Sequence, residues 1–259
     1  MPPPTPFFSR YVALGDSSTE GLDDPDGRGS YRGWSQRLAE HLDVTQGGGL
    51  LYANLAVRGL GTAQIRERQL GTALSLRPDL ATVFCGTNDV TAWRFDAGAV
   101  AADIEHMQCA LADAGARVVS FTLPDLSPLM PAARLIRGRI EALNGALARA
   151  SRRSGAILVD FASQPVATDR RLWSEDRIHA NAEGHARIAV ALAEALGVPV
   201  RGEDWRGALP PLPARTRGEW CREECRWATR HLLPWLGRAL LGRSLSRGRT
   251  AKRPELGPP

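Results

Sequence analysis

The chain has 259 residues, 43% of them hydrophobic, enough to bury a full core in one domain. No apolar run reaches the length of a membrane-spanning helix. The net charge of +5 belongs to the tail: from Arg201 onward 13 Lys+Arg stand against 6 Asp+Glu, while the residues before it hold 20 against 22. Almost all of that basic charge is arginine, with Lys252 the only lysine.

The first ten residues are Pro-rich, with no charged region followed by an apolar run, so they do not read as a secretory signal and the expected compartment is the cytoplasm. Four cysteines, Cys85, Cys109, Cys221 and Cys225, are too few and too irregular for a disulfide framework. No second Cys or His pair lies at ligand spacing, so zinc is not expected and the cysteines read as small buried hydrophobes.

In chain order, Tyr11-Val12-Ala13-Leu14 reads as a buried strand ending at a glycine, and Trp34 to Leu42 as a helix with Trp34, Leu38 and His41 or Leu42 on one face. Leu50 to Leu55 is a second strand, Thr62 to Leu70 a short helix, and Leu80 to Phe84 a third strand stopped by Gly86. Ala97 to Ala114 is helical with Ile104, Met107 and Leu111 at core spacing, and Arg117 to Leu123 is a fourth strand. Pro131 to Ser151 reads as one long helix carrying Leu135, Ile136, Ile140, Leu143 and Leu147. Ala156 to Val159 is a fifth strand, and Ala182 to Leu196 the last helix of the body. Short apolar strands alternating with helices predict an α/β fold, a three-layer α/β/α sandwich on a five-stranded parallel sheet.

Four segments carry the chemistry: Gly15-Asp16-Ser17-Ser18-Thr19-Glu20-Gly21, Asn54 to Gly59, Gly86-Thr87-Asn88-Asp89, and Asp176-Arg177-Ile178-His179. In open α/β sheets ligands bind beyond the carboxyl ends of the strands. Ser17, Gly59 and Asn88 follow the first three strands, and Asp176 and His179 lie between the fifth strand and the last helix, so all five fall on one rim. A serine hydroxyl needs a base within reach to act as a nucleophile. A histidine with an aspartate three residues before it, as at His179 and Asp176, is a candidate for such a base and for the carboxylate that orients it. His185 is expected to pack on the last helix or meet solvent, outside the chemistry.

In these four blocks the chain resembles the SGNH hydrolases, also called GDSL-type esterases, over about Tyr11 to Leu196. The resemblance implies the flavodoxin-like strand order 2-1-3-4-5. It also implies an oxyanion hole made of the backbone N–H groups of Ser17 and Gly59 and the side-chain amide of Asn88, with no cofactor and no metal. Gly61 rivals Gly59 as the glycine of its block. Asp16 and Asp89 are expected to fix the catalytic loops as hydrogen-bond acceptors, with Asn54 doing the same at the end of the second strand and Asp160 structural. The implied activity is cleavage of a small-molecule carboxylic ester or thioester through an acyl-enzyme on Ser17. Alternatives are a carbohydrate or natural-product O-deacetylase or an acyltransferase with the same site, and a non-catalytic binding module. Candidate substrate contacts are the loop Leu22 to Gly33, the loop Thr91 to Ala99 with Trp93, Arg94 and Phe95, and the loop Asp125 to Pro128.

The expected organisation is a hydrolase domain over 1–199, a basic, Trp-rich helical extension over 200–241 and a disordered tail over 242–259. In the extension, Thr216 to Leu233 reads as a helix with an apolar stripe of Cys221, Cys225, Ala228 and Leu232, and Pro234 opens a second helix to Leu241. Three roles stay open for it: packing on the body or a second subunit, contact with an acidic membrane surface, and binding of another partner. No groove-reading motif accompanies the charge, so specific nucleic-acid binding is not expected.

Overall fold

The computed structural model describes residues 6–200, 202, 204–213, 216–234, 237, 246 and 248–259. A parallel sheet forms the centre: β1 (Arg10–Gly15), β2 (Leu51–Asn54), β3 (Leu80–Phe84), β4 (Arg117–Phe121) and β5 (Ile157–Val159) lie in the order 5-4-3-1-2. This is the flavodoxin-like order. β1 sits between β2 and β3, with Tyr11 level with both Tyr52 and Leu80. Its residues Tyr11 to Leu14 are fully buried, because helices cover both faces of the sheet. The buried Tyr11 hydroxyl is satisfied by Thr82 Oγ1 at 2.9 Å.

The helices of the body are α1 (Ser17–Glu20), α2 (Gly33–Gln46), α3 (Thr62–Ser75), α4 (Thr87–Thr91), α5 (Ala97–Asp113), α6 (Arg137–Ser154) and α7 (Ala182–Ala195). α2 packs on α7 to form one layer, and α3, α5 and α6 pack together to form the other. Ile104, Met107 and Leu111 of α5 are buried, as their spacing predicts. The short helices α1 and α4 lie in the two motif segments that the sequence reads only as loops.

The expected long helix from Pro131 to Ser151 is instead a 3₁₀ turn, Pro131–Leu135, followed by α6. Ile136 breaks it at φ −109°, ψ 0°, and Leu135, expected in the core, is 88% exposed. Turning the chain there points Ala133 and Ile136 into a second apolar cluster with Leu126, Leu129 and Met130.

The tail departs furthest from expectation. Residues 253–257, placed by composition in a disordered tail, form β6 (Arg253–Gly257), antiparallel to β2. The edge of β2 presents unpaired backbone groups that a proline-containing edge strand can partner. Lys252 anchors the strand by donating to the Glu20 and Arg32 carbonyls at 3.2 and 3.0 Å, and its burial pushes the amine down to about 8.

α8 (Arg217–Trp227) is opened by a capping box between Thr216 and Glu219 and runs on into a π-helical turn, Ala228–Leu232. It packs on the body through only half of the predicted stripe, Ala228 and Leu232. Cys221 and Cys225 are exposed, whereas Trp227 enters the second apolar cluster with Ala228 and Leu232 beside it. Of the four cysteines only Cys85 is buried, so the reading of all four as buried hydrophobes is corrected. The expected second helix lies mostly outside the described residues. No helix among those described is long and apolar enough to cross a membrane.

Candidate active site

Ser17 follows β1 directly, as the first residue of α1. Asp16 caps this helix by accepting from the Ser18 N–H at 3.1 Å, and the Ser17 N–H has no partner within so short a helix. Gly15 makes the tight turn possible, since a Cβ there would lie 2.4 Å from the Phe84 carbonyl oxygen and 2.1 Å from Thr19 Oγ1. The Gln69 side chain reaches from α3 to hydrogen-bond both Gly15 N and Gly15 O, each at 2.9 Å. The backbone just before the nucleophile is therefore pinned in a buried position.

His179 lies on a hairpin-like loop closed by the Trp173–Ala180 bridge and by the Ser174 N–H donating to the His179 carbonyl at 2.9 Å. At its tip, one Asp176 oxygen accepts from Ser174 Oγ at 2.6 Å and from the N–H groups of Ile178 and His179 at 2.9 and 3.0 Å. The other oxygen meets His179 Nδ1 at 2.6 Å, and Nε2 meets Ser17 Oγ at 2.7 Å. With Asp176 ionised, Nδ1 carries the proton and donates it, leaving Nε2 to accept from the serine hydroxyl.

Burial alone would push Asp176 up, but the hydrogen bond and charge of His179 and the Ser174 hydroxyl carry it well below the usual carboxylate range. Burial would push His179 down, but the hydrogen bond and charge of Asp176, with smaller help from Asp23 and Asp16, raise it above its ordinary value. His185 is different: fully buried, it accepts from Trp34 N and reaches the Leu22 carbonyl, and burial drives it down to about 4. It is a neutral core histidine outside the chemistry.

The Asn88 amide nitrogen, on α4, donates to the Leu60 carbonyl at 3.0 Å and to Asp16 Oδ2 at 3.2 Å. Asp16 thus joins the Ser17 and Asn88 segments, and burial pushes its carboxyl up to about 6. Asp89 accepts from the N–H and hydroxyl of Thr62, which ties the Gly59 turn to α4. Gly59 has φ +78°, a conformation that favours glycine, and its neighbours Arg58 and Leu60 bond to Glu20 and Asn88. Gly61, at φ −80°, caps α3 instead. Asn54 donates to the Thr19 carbonyl and Ser35 Oγ and accepts from Ala56 N, while Asp160 accepts from the Thr122 hydroxyl.

Beside Ser17 and His179 opens a cavity with an empty volume of about 1150 Å³, part of it open to solvent. Phe84, Phe121, Phe161 and Trp205 lie along it; Phe84 and Phe121 stack at 3.7 Å between ring centroids, and Phe161 meets Trp205 edge-on. Leu126, Met130, Leu172 and Ile188 add aliphatic wall. The sequence does not reveal this lining, because its residues come from six separate segments. Of the expected contact loops, the 22–33 loop does not reach the cavity: Asp24 ties it to Gly33 N and Arg37. Thr91 lines the cavity, but Trp93 is 96% exposed.

Among the described residues, Asp23, Asp176 and His179 form the one group offering three metal-ligand atoms within 4.8 Å of one another. His179 Nδ1 is already bonded to Asp176, so a cation there would compete with that bond.

No curated protein matches the chain. Among solved structures, an alpha/beta hydrolase enzyme from the metagenome of Lake Arreo, Spain, is 23% identical with a TM-score of 0.60, covering 73% of this chain and 95% of that one. The psychrotrophic esterase EstA from Pseudoalteromonas sp. is 16% identical with a TM-score of 0.57, covering 73% and 97%. Axe2, an acetylxylan esterase from Geobacillus stearothermophilus, is 16% identical with a TM-score of 0.60, covering 74% and 97%. At these identities the likeness is one of fold. Residues 13–187 match the GDSL-like Lipase/Acylhydrolase family, which takes in Ser17, Gly59, Asn88, Asp176 and His179. The chain therefore belongs to the GDSL-like lipase/acylhydrolase family, the SGNH carboxylic ester hydrolases.

Proposed function

We propose that the protein hydrolyses carboxylic esters of extended apolar acyl groups through an acyl-enzyme on Ser17. The observation that carries this reading is the unbroken Asp176–His179–Ser17 hydrogen-bond chain, at 2.6 and 2.7 Å, opening onto an apolar cavity. Ser17 Oγ attacks the ester carbonyl while His179 Nε2 takes its proton. The tetrahedral oxyanion is met by the N–H groups of Ser17 and Gly59 and by Asn88, which exchanges its longer bond to Asp16 for one to the oxyanion. Collapse expels the alcohol, which leaves with the proton held by His179. Water, deprotonated by His179, then attacks the acyl-enzyme and releases the carboxylic acid. Asp176 keeps its charge throughout and stabilises the imidazolium. A thioester fits the same steps with a thiol leaving group.

The wall of Phe84, Phe121, Phe161 and Trp205 favours a long chain over an acetyl group, because burying each methylene is worth about 0.8 kcal/mol. The test is a p-nitrophenyl ester series from acetyl upward, with wild type and Ser17→Ala side by side. Expected is Ser17-dependent turnover whose kcat/KM rises about four-fold per carbon until the cavity fills. An optimum at acetyl would return the reading to a deacetylase. Loss of turnover on every ester, together with no reaction of Ser17 with a fluorophosphonate, would leave a binding module.

A further inference from the structure

We propose that helix α8, which lies outside the residues matched to the family, is a positioning element of the active site: Trp227 and Glu224 grip Arg177 and so fix the loop that presents Asp176 and His179. This rests on the serine-hydrolase reading of the site.

Arg177 stands between the two catalytic residues and adopts φ +64°, a conformation that a non-glycine residue holds only under external restraint. Its side chain points away from the cleft and is buried. One guanidinium nitrogen donates to the Leu129 carbonyl at 3.0 Å and to Glu224 Oε2 at 2.9 Å, and pairs in charge with Glu224 Oε1 2.7 Å away. The guanidinium carbon lies 4.7 Å from the centre of the Trp227 ring, a cation–π stack. The indole N–H of Trp227 in turn donates to the backbone carbonyl of Asp176 at 3.1 Å. One helix therefore holds the loop by a side chain, by a ring face and by its backbone.

The choice of buried face supports the same conclusion. The stripe's C-terminal half, Ala228 and Leu232, packs on the body beside Trp227, whereas its N-terminal half, Cys221 and Cys225, faces outward. At the level of Cys221 and Cys225 the face turned in carries instead a carboxylate and, one turn on, an indole N–H, each with a partner on residues 176–177. Burying a guanidinium, with its Nε left unpartnered, is costly unless the charge is paired. Glu224 and the Trp227 ring supply that pairing. Without them Arg177 would seek water, and the loop, which has little regular structure, would move with it. Misplacement of a reacting group by about 1 Å can cost on the order of 10²-fold in rate.

The test uses the full chain and three variants, Trp227→Ala, Trp227→Phe and Glu224→Gln, with Cys221→Ser on the outer face as control. Each is read by the rate of fluorophosphonate labelling of Ser17 and by the pH profile of kcat/KM on p-nitrophenyl acetate, which leaves the long cavity unfilled. Trp227→Ala is expected to lose about 10- to 10²-fold in labelling rate and kcat. The acidic limb of its profile should move to lower pH, as the Asp176–His179 bond that raises the histidine loosens. Trp227→Phe, which keeps the ring over Arg177, should recover most of the rate, and Cys221→Ser should match wild type.

If Trp227→Ala does not fold, Glu224→Gln decides the matter, with an expected loss of several-fold and the same direction of pH shift. A folded Trp227→Ala with unchanged rate and limb, or an unchanged Glu224→Gln where the alanine variant fails to fold, would overturn the clamp. No labelling of the wild type would remove the hydrolase reading, and the clamp's role with it.

Discussion

Ser17 and His179 meet at 2.7 Å, yet different kinds of structure deliver them. The serine half is built into the sheet. Ser17 follows a strand buried from Tyr11 onward, Gln69 holds the backbone before it, and Asp16, Asn88, Leu60, Asp89 and Thr62 join three strand ends in one hydrogen-bonded network. The histidine half hangs on a loop between two 3₁₀ turns and α7. What the loop lacks in regular structure is supplied by the self-capping of Asp176 and by α8 behind it. The nucleophile is thus fixed by the sheet within the residues matched to the family, while the base is steadied by a segment outside them.

Removing either half breaks the comparison most severely. Ser17→Ala is expected to lower kcat by at least about 10⁴-fold with the far-UV spectrum unchanged; near-wild-type turnover in a preparation free of contaminating esterase would remove the mechanism. Asp176→Asn is expected to cost about 10⁴-fold as well. It should also move the acidic limb of kcat/KM to lower pH. The sign follows from the wild type, where Asp176 raises His179: the histidine must be neutral to act as base, so activity is lost as pH falls through that raised value. A limb that stays in place in Asp176→Asn would mean that another group titrates.

The serine half is sharpened by two smaller changes. Asn88→Ala is expected to cost about 10²–10³-fold in kcat with little change in KM, as for one oxyanion donor. A rise in KM alone would make Asn88 a binding residue instead. Gln69→Leu removes no catalytic group but strands the Gly15 N–H in the core and leaves its carbonyl only the longer bond from Val57 N, at 3.3 Å. It is expected to destabilise the fold by about 1–3 kcal/mol in urea titration, and an unchanged midpoint would show that the turn holds itself. The smallest effect belongs to Asp23, whose carboxylate lies 3.9 Å from His179 Nδ1 and is 40% exposed. Asp23→Asn should change kcat/KM by no more than a few-fold and move the acidic limb slightly to lower pH.

Legibility in the sequence follows how local each feature is. The strands were readable because five apolar runs end at turn residues, and the motif segments because Ser17, Gly59 and Asn88 each sit within a few residues of a strand end while Asp176 and His179 lie close together in one short segment before α7. The 3₁₀ break at Ile136 was not readable, since Leu135, Ile136 and Ile140 keep helical spacing across it and only the second apolar cluster explains the turn. Nor was β6: its Pro- and Gly-rich residues read as disorder until the open edge of β2 gives them a partner. Within α8, the Cys221 and Cys225 half of the stripe misled because the helix turns Glu224 and Trp227 toward Arg177, nearly fifty residues away in sequence.

The sequence by itself determined the parallel sheet, the rim on which Ser17, Gly59, Asn88, Asp176 and His179 gather, and the class of chemistry, because periodicity and short motifs encode what lies within one strand–loop–helix unit. Only the tertiary structure decided the depth and apolar character of the cavity, the pairing of Asp16 with Asn88, the grip of Trp227 on the histidine loop and the closing of the sheet by β6. Each of these joins side chains from separate segments, and such contacts are fixed by packing rather than by local propensity.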